Sequence, residues 1–197
     1  MAELGPVTLT GTHIRLEPLR PQHAPDLLAA GRSPEIWSWM MMEPLTSEAA
    51  VARCIANGMK AEEKGLEYIF AVVGLKSGRV LGSTRYMDVQ AAHRCLEIGG
   101  TWYTPDVWGS VVNPEAKFLL LRHAFETWGA LRVQLKTDGH NLRSQAAIRK
   151  LGAQYEGTLR NHRIRPDGTV RDTAMFSIID REWPAVKAGL LRRITEG

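Results

Sequence analysis

The sequence lacks most of what would tie it to a membrane, a metal or an oxidising compartment. No apolar run approaches the roughly 20 residues that a bilayer span requires. The opening MAELGPVTLTG has neither the basic start nor the apolar stretch of a secretory signal. There are two cysteines, Cys54 and Cys95, without metal or redox spacing, so both thiols are expected to be reduced. The histidines (His13, His23, His93, His123, His140 and His162) are scattered without ligand spacing, and no metal is expected. Charge of one sign is also scarce: 25 Lys and Arg face 21 Asp and Glu, a net +4. That suits an anionic ligand but is too weak to argue for nucleic acid, and no Lys/Arg block with interleaved aromatics appears. Nor is there a Ser/Gly/Pro-rich linker, a low-complexity tract or a repeat. What is present, 44% hydrophobic and 23% charged residues over 197 positions, supports one cytoplasmic globular domain spanning 1–197.

The chain divides into periodic segments. THIRLEPL (12–19) alternates as a strand, and residues 20–31 read as a short helix with Pro25 in its first turn and Gly31 at its end. Residues 46–65 read as a helix capped by Thr46 or Ser47 and stopped by Gly65. EYIFAVVGL, RVLGSTRYMDV and CLEIGGTWY read as strands, the first two joined by a KSG turn. A helix is expected from Pro114 to about Trp128 with Gly129 after it, followed by the strand LRVQLKTD. Residues 141–152 form a helix with Asn141 as cap and Gly152 past its end. A hairpin then turns at Pro166-Asp167-Gly168, and REWPAVKAGLLRR closes as a helix. Hairpins with a βαβ unit in the middle imply a mixed α/β sheet with helices on its faces.

The stretch PDVWGSVVNPEA (105–116) carries the first chemical signal. Asn113 reads as an N-cap, Pro114 as the first helical residue and Glu115 as a first-turn acid complementing the dipole. Just before it, the backbone N–H groups of Gly109, Ser110, Val111 and Val112 can cradle a pyrophosphate, or the segment is a plain strand-to-helix connection. It is neither a P-loop nor a dinucleotide fingerprint.

Its surroundings resemble the core of the GNAT superfamily of acyl-CoA-dependent N-acetyltransferases, in the RimJ/RimL-type branch. The residues are Glu97-Ile98-Gly99, Trp108-Gly109, Glu115-Ala116, Asn141 with Ser144, and Leu151-Gly152, and the likeness extends over nearly the whole chain. The chain departs from the pattern at Trp108 and at Val111, whose side chain would crowd the phosphates. An extra residue at Gly99-Gly100 reads as a bulge. The resemblance implies a mostly antiparallel twisted sheet splayed at a central bulge. It also implies transfer of acetyl from acetyl-CoA to a primary amine by direct attack in a ternary complex.

On that resemblance, residues 109–113 hold the pyrophosphate, with Trp108 beside them, and Thr101, Trp102 and Tyr103 pair with the pantetheine. Asn141 contacts pantetheine and Ser144 protonates the CoA sulfur, or the two residues only close the helix cap. Arg143 and Arg149 reach the 3′-phosphate, or form a solvated face. Glu97 is the general-base candidate, or a carboxylate paired with Arg94. Trp37 and Trp39, in IWSWMMM, line the acceptor side, or belong to a satellite core or a homodimer contact. Arg85, Arg160 and Asp172 shape the acceptor pocket or pair with one another. A protein or peptide N-terminal amine is the first acceptor to consider; small amines or antibiotics, and a non-catalytic CoA sensor, are the alternatives.

Overall fold

A computed structural model describes residues 4–196, so the first residues of the opening stretch and Gly197 lie outside it. The strands are β1 (Leu9–Thr10), β2 (Ile14–Pro18), β3 (Tyr68–Gly74), β4 (Val80–Gln90), β5 (Cys95–Tyr103), β6 (Arg132–Asp138), β7 (Gln154–Ile164) and β8 (Val170–Ile179). The helices are α1 (Ala24–Ala30), α2 (Glu48–Glu63), α3 (Val112–Arg122), α4 (Leu142–Lys150) and α5 (Trp183–Thr195). The strands form one sheet in the order β1-β2-β3-β4-β5-β6-β8-β7. Every adjacent pair is antiparallel except β5 and β6. This is the mixed, mostly antiparallel α/β architecture read from the sequence; the short β1 was not anticipated.

Apolar alternation explains the layers. All of β3 is buried: Tyr68, Phe70 and Val72 enter the larger core, whereas Ile69, Ala71 and Val73 enter the smaller one. The larger core takes Leu119, Leu120 and Leu121 from α3 and Val186, Leu190 and Ile194 from α5. The smaller takes Leu27 from α1 and Val51 and Ile55 from α2, on the opposite face. Capping follows the sequence at two helices. Ser47 accepts from the Ala50 amide at 3.2 Å and Asn141 from the Ser144 amide at 3.0 Å, each cap worth about 1 kcal/mol.

The start of α3 differs from expectation. The helix begins at Val112, because the Ser110 hydroxyl accepts from the Val112 amide at 3.3 Å while donating to the Val107 carbonyl at 2.7 Å. Asn113 therefore lies inside the first turn, where its Oδ1 accepts from the Tyr103 hydroxyl at 3.2 Å instead of capping. Glu115 is not a solvent-side dipole partner. It is 2% exposed, takes the amides of Thr12 and His13, and faces the His13 ring at 3.2 Å, tying α3 to the β1–β2 turn. Beyond Arg122 the winding widens to a π-helix over His123–Trp128 before Gly129, at φ +78°, ends it. The Tyr86 hydroxyl donates to the Leu120 carbonyl at 2.6 Å just ahead of this change, the kind of insertion that shifts a helical ladder.

The sheet opens at its centre. β5 and β6 pair only at Cys95–Arg132, Leu96–Val133 and Glu97–Gln134, and past Glu97 the strands separate. Along its other edge β5 slips by one residue against β4, from Arg85–Gly99 to Ser83–Trp102, with Gly100 at φ +54°. Strands β4 and β5 approach closely at Gly82, where a Cβ would run into the Trp102 carbonyl and lie 2.8 Å from the Tyr103 Cα. Backbone cannot yield there as a side-chain end can. Gly82→Ala is expected to cost roughly 2–4 kcal/mol, read as a lower urea midpoint at unchanged m-value.

Candidate active site

The opening between β5 and β6 is a cleft of about 810 Å³. It runs from the 107–110 turn and the starts of α3 and α4 to the segment 35–42 that follows α1. Among the residues singled out from the sequence, Glu97, Thr101, Trp102, Tyr103, Trp108, Gly109, Ser110, Asn113, Asn141, Arg143, Ser144, Arg85 and Trp39 all line it.

Others lie elsewhere. Val111 and Val112 turn their side chains into or against the larger core, so Val111 does not crowd the cleft. Arg149 stacks over Phe176 and Tyr155, with its guanidinium carbon 5.1 and 5.6 Å from the ring centroids. Trp37 is buried, donates to the Gly31 carbonyl at 2.8 Å and packs on Trp102. Arg160 and Asp172 sit in a separate shallow depression on the β7–β8 hairpin, where Asp172 takes the Asn161 amide at 2.7 Å.

The amides of the 109–112 turn are not all available. Ser110 N donates to the Val107 carbonyl at 3.3 Å, and Val112 N is held by the Ser110 hydroxyl. Those of Gly109 and Val111 have no hydrogen-bond partner among the described residues. A Cβ on Gly109, at φ +78°, would meet nothing within 4 Å, so the backbone there is open. Trp108 is fixed by its indole N–H to the Tyr103 carbonyl at 2.9 Å, and the Arg143 guanidinium lies 4.2 Å from its ring centroid. These residues fit a diphosphate: free amides at a helix N-terminus, an open glycine and a nearby cation.

The two faces of the sheet present different chemistry to the cleft. Glu97 pairs with Met87 on β4 and with Gln134 on β6, so it shares their face. It is 1% exposed; its Oε2 receives Lys136 Nζ at 2.7 Å and Gln134 Nε2 at 3.1 Å, and the partner is not Arg94. Its Oε1 has no hydrogen-bond partner among the described residues. Arg85 and Met87 share this face, and Arg85 is held by Glu67 at 3.1 Å. Exposed Trp39 and Met41 stand at the mouth, while Met40 and Met42 pack against the smaller core.

On the α3 face a buried polar chain runs beneath the bulge. Lys117 Nζ donates to Thr101 Oγ1 at 2.6 Å, and Thr101 Oγ1 lies 2.8 Å from Thr84 Oγ1. Lys117 lines the cleft, and burial pushes its ammonium down to about 7. Sequence reading missed Lys117, Lys136 and Arg171, all of which line the cleft. The signal for Lys117 was spacing: it falls on one helical face with Leu120 and Ala124, at i, i+3 and i+7, and both of those are buried. Among the described residues no group of three or more His, Cys, Asp or Glu could hold a metal, and no helix is long and apolar enough to cross a membrane.

A strand pair parting beside an open helix start is the frame on which an acyl carrier can lie. The family model described as an acetyltransferase (GNAT) domain matches residues 13–154, and the chain belongs to that acetyltransferase family. It is similar to a provisionally assigned acetyltransferase from T. thermophilus, 39% identical, with a TM-score of 0.86 over 98% of this chain and 100% of that one. It is also similar to a GCN5-related N-acetyltransferase from Brucella melitensis, 30% identical, with a TM-score of 0.87 over 94% of this chain and 84% of that one. A ribosomal-protein-S5-alanine acetyltransferase from Vibrio fischeri shares the fold, with a TM-score of 0.75 over 90% of this chain and 98% of that one, at 14% identity. No curated protein matches the chain.

Proposed function

We propose that this acetyltransferase moves acetyl from acetyl-CoA to a primary amine by direct attack in a ternary complex. The observation that carries the reading is the parting of β5 from β6 past Glu97, which leaves one edge of Thr101, Trp102 and Tyr103 unpaired and leads to the open amides at Gly109 and Val111. That edge suits strand-like pairing with the pantetheine amides. Arg143, stacked on Trp108, suits the phosphates. When bound, acetyl-CoA supplies the activated thioester; amides of β5 aimed at its carbonyl would each stabilise the transition state by roughly 3 kcal/mol.

The acceptor amine enters on the face bearing Glu97, Arg85 and Met87, opposite α3. Glu97 takes the amine proton on Oε1, directly or through one water, as the new C–N bond forms and the C–S bond breaks. The Ser144 hydroxyl, whose own amide is held by Asn141, gives its proton to the departing sulfur and regains one from solvent. Protein N-terminal amines are the favoured acceptors, since an α-amine has a pKa of about 8 against about 10.4 for lysine and needs less help from one base. The RimJ/RimL-like motifs and the Vibrio fischeri neighbour, named for a ribosomal-protein alanine, support this choice.

Calorimetry with acetyl-CoA, followed by a panel of N-terminal peptides and small amines with free-thiol detection, tests the proposal. Micromolar binding and thiol release with peptide amines are expected. Ser144→Ala should slow release about tenfold with binding retained. Binding without release for any amine would leave only a CoA sensor.

A further inference from the structure

One buried cation in the cleft is left out of this scheme. Arg171 lies on β8, two residues before Thr173, which makes the last pair with β6 at Asp138. Alternation along paired strands puts Arg171 on the face shared by Thr173, Asp138, Lys136 and Glu97, the face opposite α3. The residue is 7% exposed and lines the cleft. Its Nε is buried with no hydrogen-bond partner among the described residues. Its nearest carboxylate oxygen, Asp138 Oδ2, is 3.8 Å away, too far for a hydrogen bond.

Asp138 is already engaged. It takes Arg165 Nε at 2.9 Å and Arg165 Nη2 at 2.8 Å through Oδ2, and the His140 amide at 2.9 Å through Oδ1. Lys136 is taken by Glu97 and Arg85 by Glu67. With those carboxylates engaged, Arg171 keeps only its 3.8 Å ionic contact to Asp138. Burial draws its guanidinium below the ordinary range while Asp138 pulls the other way. A buried guanidinium with unused donors is costly, and the group that satisfies it best is a planar anion with two oxygens.

We infer that Arg171 binds a carboxylate on the acceptor, so that the substrates of this enzyme are amines that also carry a carboxylate group. The inference rests on the proposed acetyl transfer. It separates the acceptor's anion from the diphosphate site proposed at the turn before α3. Glu97 and Arg171 line the same cleft from the same face of the sheet, so one small molecule or one acidic peptide end can span them.

The test pairs each carboxylate acceptor with its amide: β-alanine with β-alaninamide, 4-aminobutyrate with 4-aminobutyramide, and the peptide amides Ala-Asp-Ala and Ala-Asn-Ala. In the wild type the carboxylate member of at least one pair should lead in kcat/KM by about 10–100-fold, the worth of a charge-assisted hydrogen-bond pair. The leading pair tells a free amino acid from an acidic peptide. Arg171→Gln should erase the preference by bringing kcat/KM for the carboxylate member down to that of its amide partner, with the Kd for acetyl-CoA retained; Arg171→Lys should keep part of it. A wild type that treats both members alike, or a preference that survives Arg171→Gln, overturns the inference while acetyl transfer stands.

Glutarate, which has no amine, supplies a readout independent of catalysis and of the folding of any variant. It should bind the wild-type protein in calorimetry and compete with the preferred acceptor. If glutarate binds through Arg171 but no amine is ever acetylated, the transfer reading fails and the anion site remains. Absence of glutarate binding and of competition counts against the site.

Discussion

Replacing Glu97 with glutamine is expected to lower kcat by about 10²–10³-fold while the Kd for acetyl-CoA stays within a factor of about two. The asymmetry of the carboxylate carries the argument. Oε2 is spoken for by Lys136 and Gln134, whereas Oε1 is left toward Gly99. A Cβ at residue 99 would sit 2.7 Å from Oε1, so the glycine is what leaves that oxygen approachable. An amide at position 97 keeps the shape but cannot accept a proton, and it presents a donor to Lys136 in one of its two orientations. Steady-state kinetics with the best acceptor, alongside calorimetry of acetyl-CoA, separate the lost proton transfer from a damaged cofactor site. Unchanged kcat would remove Glu97 from the chemistry and turn attention to Lys117, the cleft-lining amine that burial brings down to about 7.

Lys117 gives the second large effect, on stability. Its ammonium is pushed by burial from the ordinary 10.5 down to about 7. Between those values the unfolded lysine carries a proton that the folded one has released. The unfolded chain therefore binds more protons, and folding stability rises with pH across the window by up to about 1.4 kcal/mol per unit. The contribution is complete above the unfolded value and lost as pH falls toward 7. Lys117→Met, which keeps the chain length and removes the charge, should be the more stable protein at pH 7 and should lose this slope. Urea titrations of both proteins at pH 7, 8 and 9 measure it as a difference, which cancels other groups such as the Cys54 thiol, which burial raises. The series stops short of pH 10 because burial raises Tyr86 and Tyr103, which would bend the curve the other way. Parallel slopes in the two proteins would mean that Lys117 keeps its proton in the fold.

The order of strands and helices was legible because each segment carries its own period and its own punctuation. Ser47, Gly129 and Asn141 mark their boundaries by local chemistry that a sequence displays. The start of α3 was misread for an equally local reason: Asn-Pro has the form of a cap, yet the Ser110 hydroxyl had closed the turn before it. Glu97, Asn141 and Ser144 could be singled out by resemblance, whereas Lys136 and Arg171 could not. On β8, Arg171, Thr173, Met175 and Ser177 alternate with the apolar Ala174, Phe176 and Ile178, which reads as a solvated outer face. Only the pairing with β6 makes that face a wall of the cleft. The surplus of positive charge was visible from composition; its placement depended on which carboxylate each cation meets across strands.

The grip of Glu115 on the Thr12 and His13 amides has a mechanical corollary. The first helical turn, beside the 107–110 turn, is moored to a hairpin far upstream in the chain, across a span in which Gly11 leaves no room for a side chain against that carboxylate. Tension applied at the amino-terminal hairpin, by a spliced loop or a fused partner, is thus transmitted straight to the rim of the cleft.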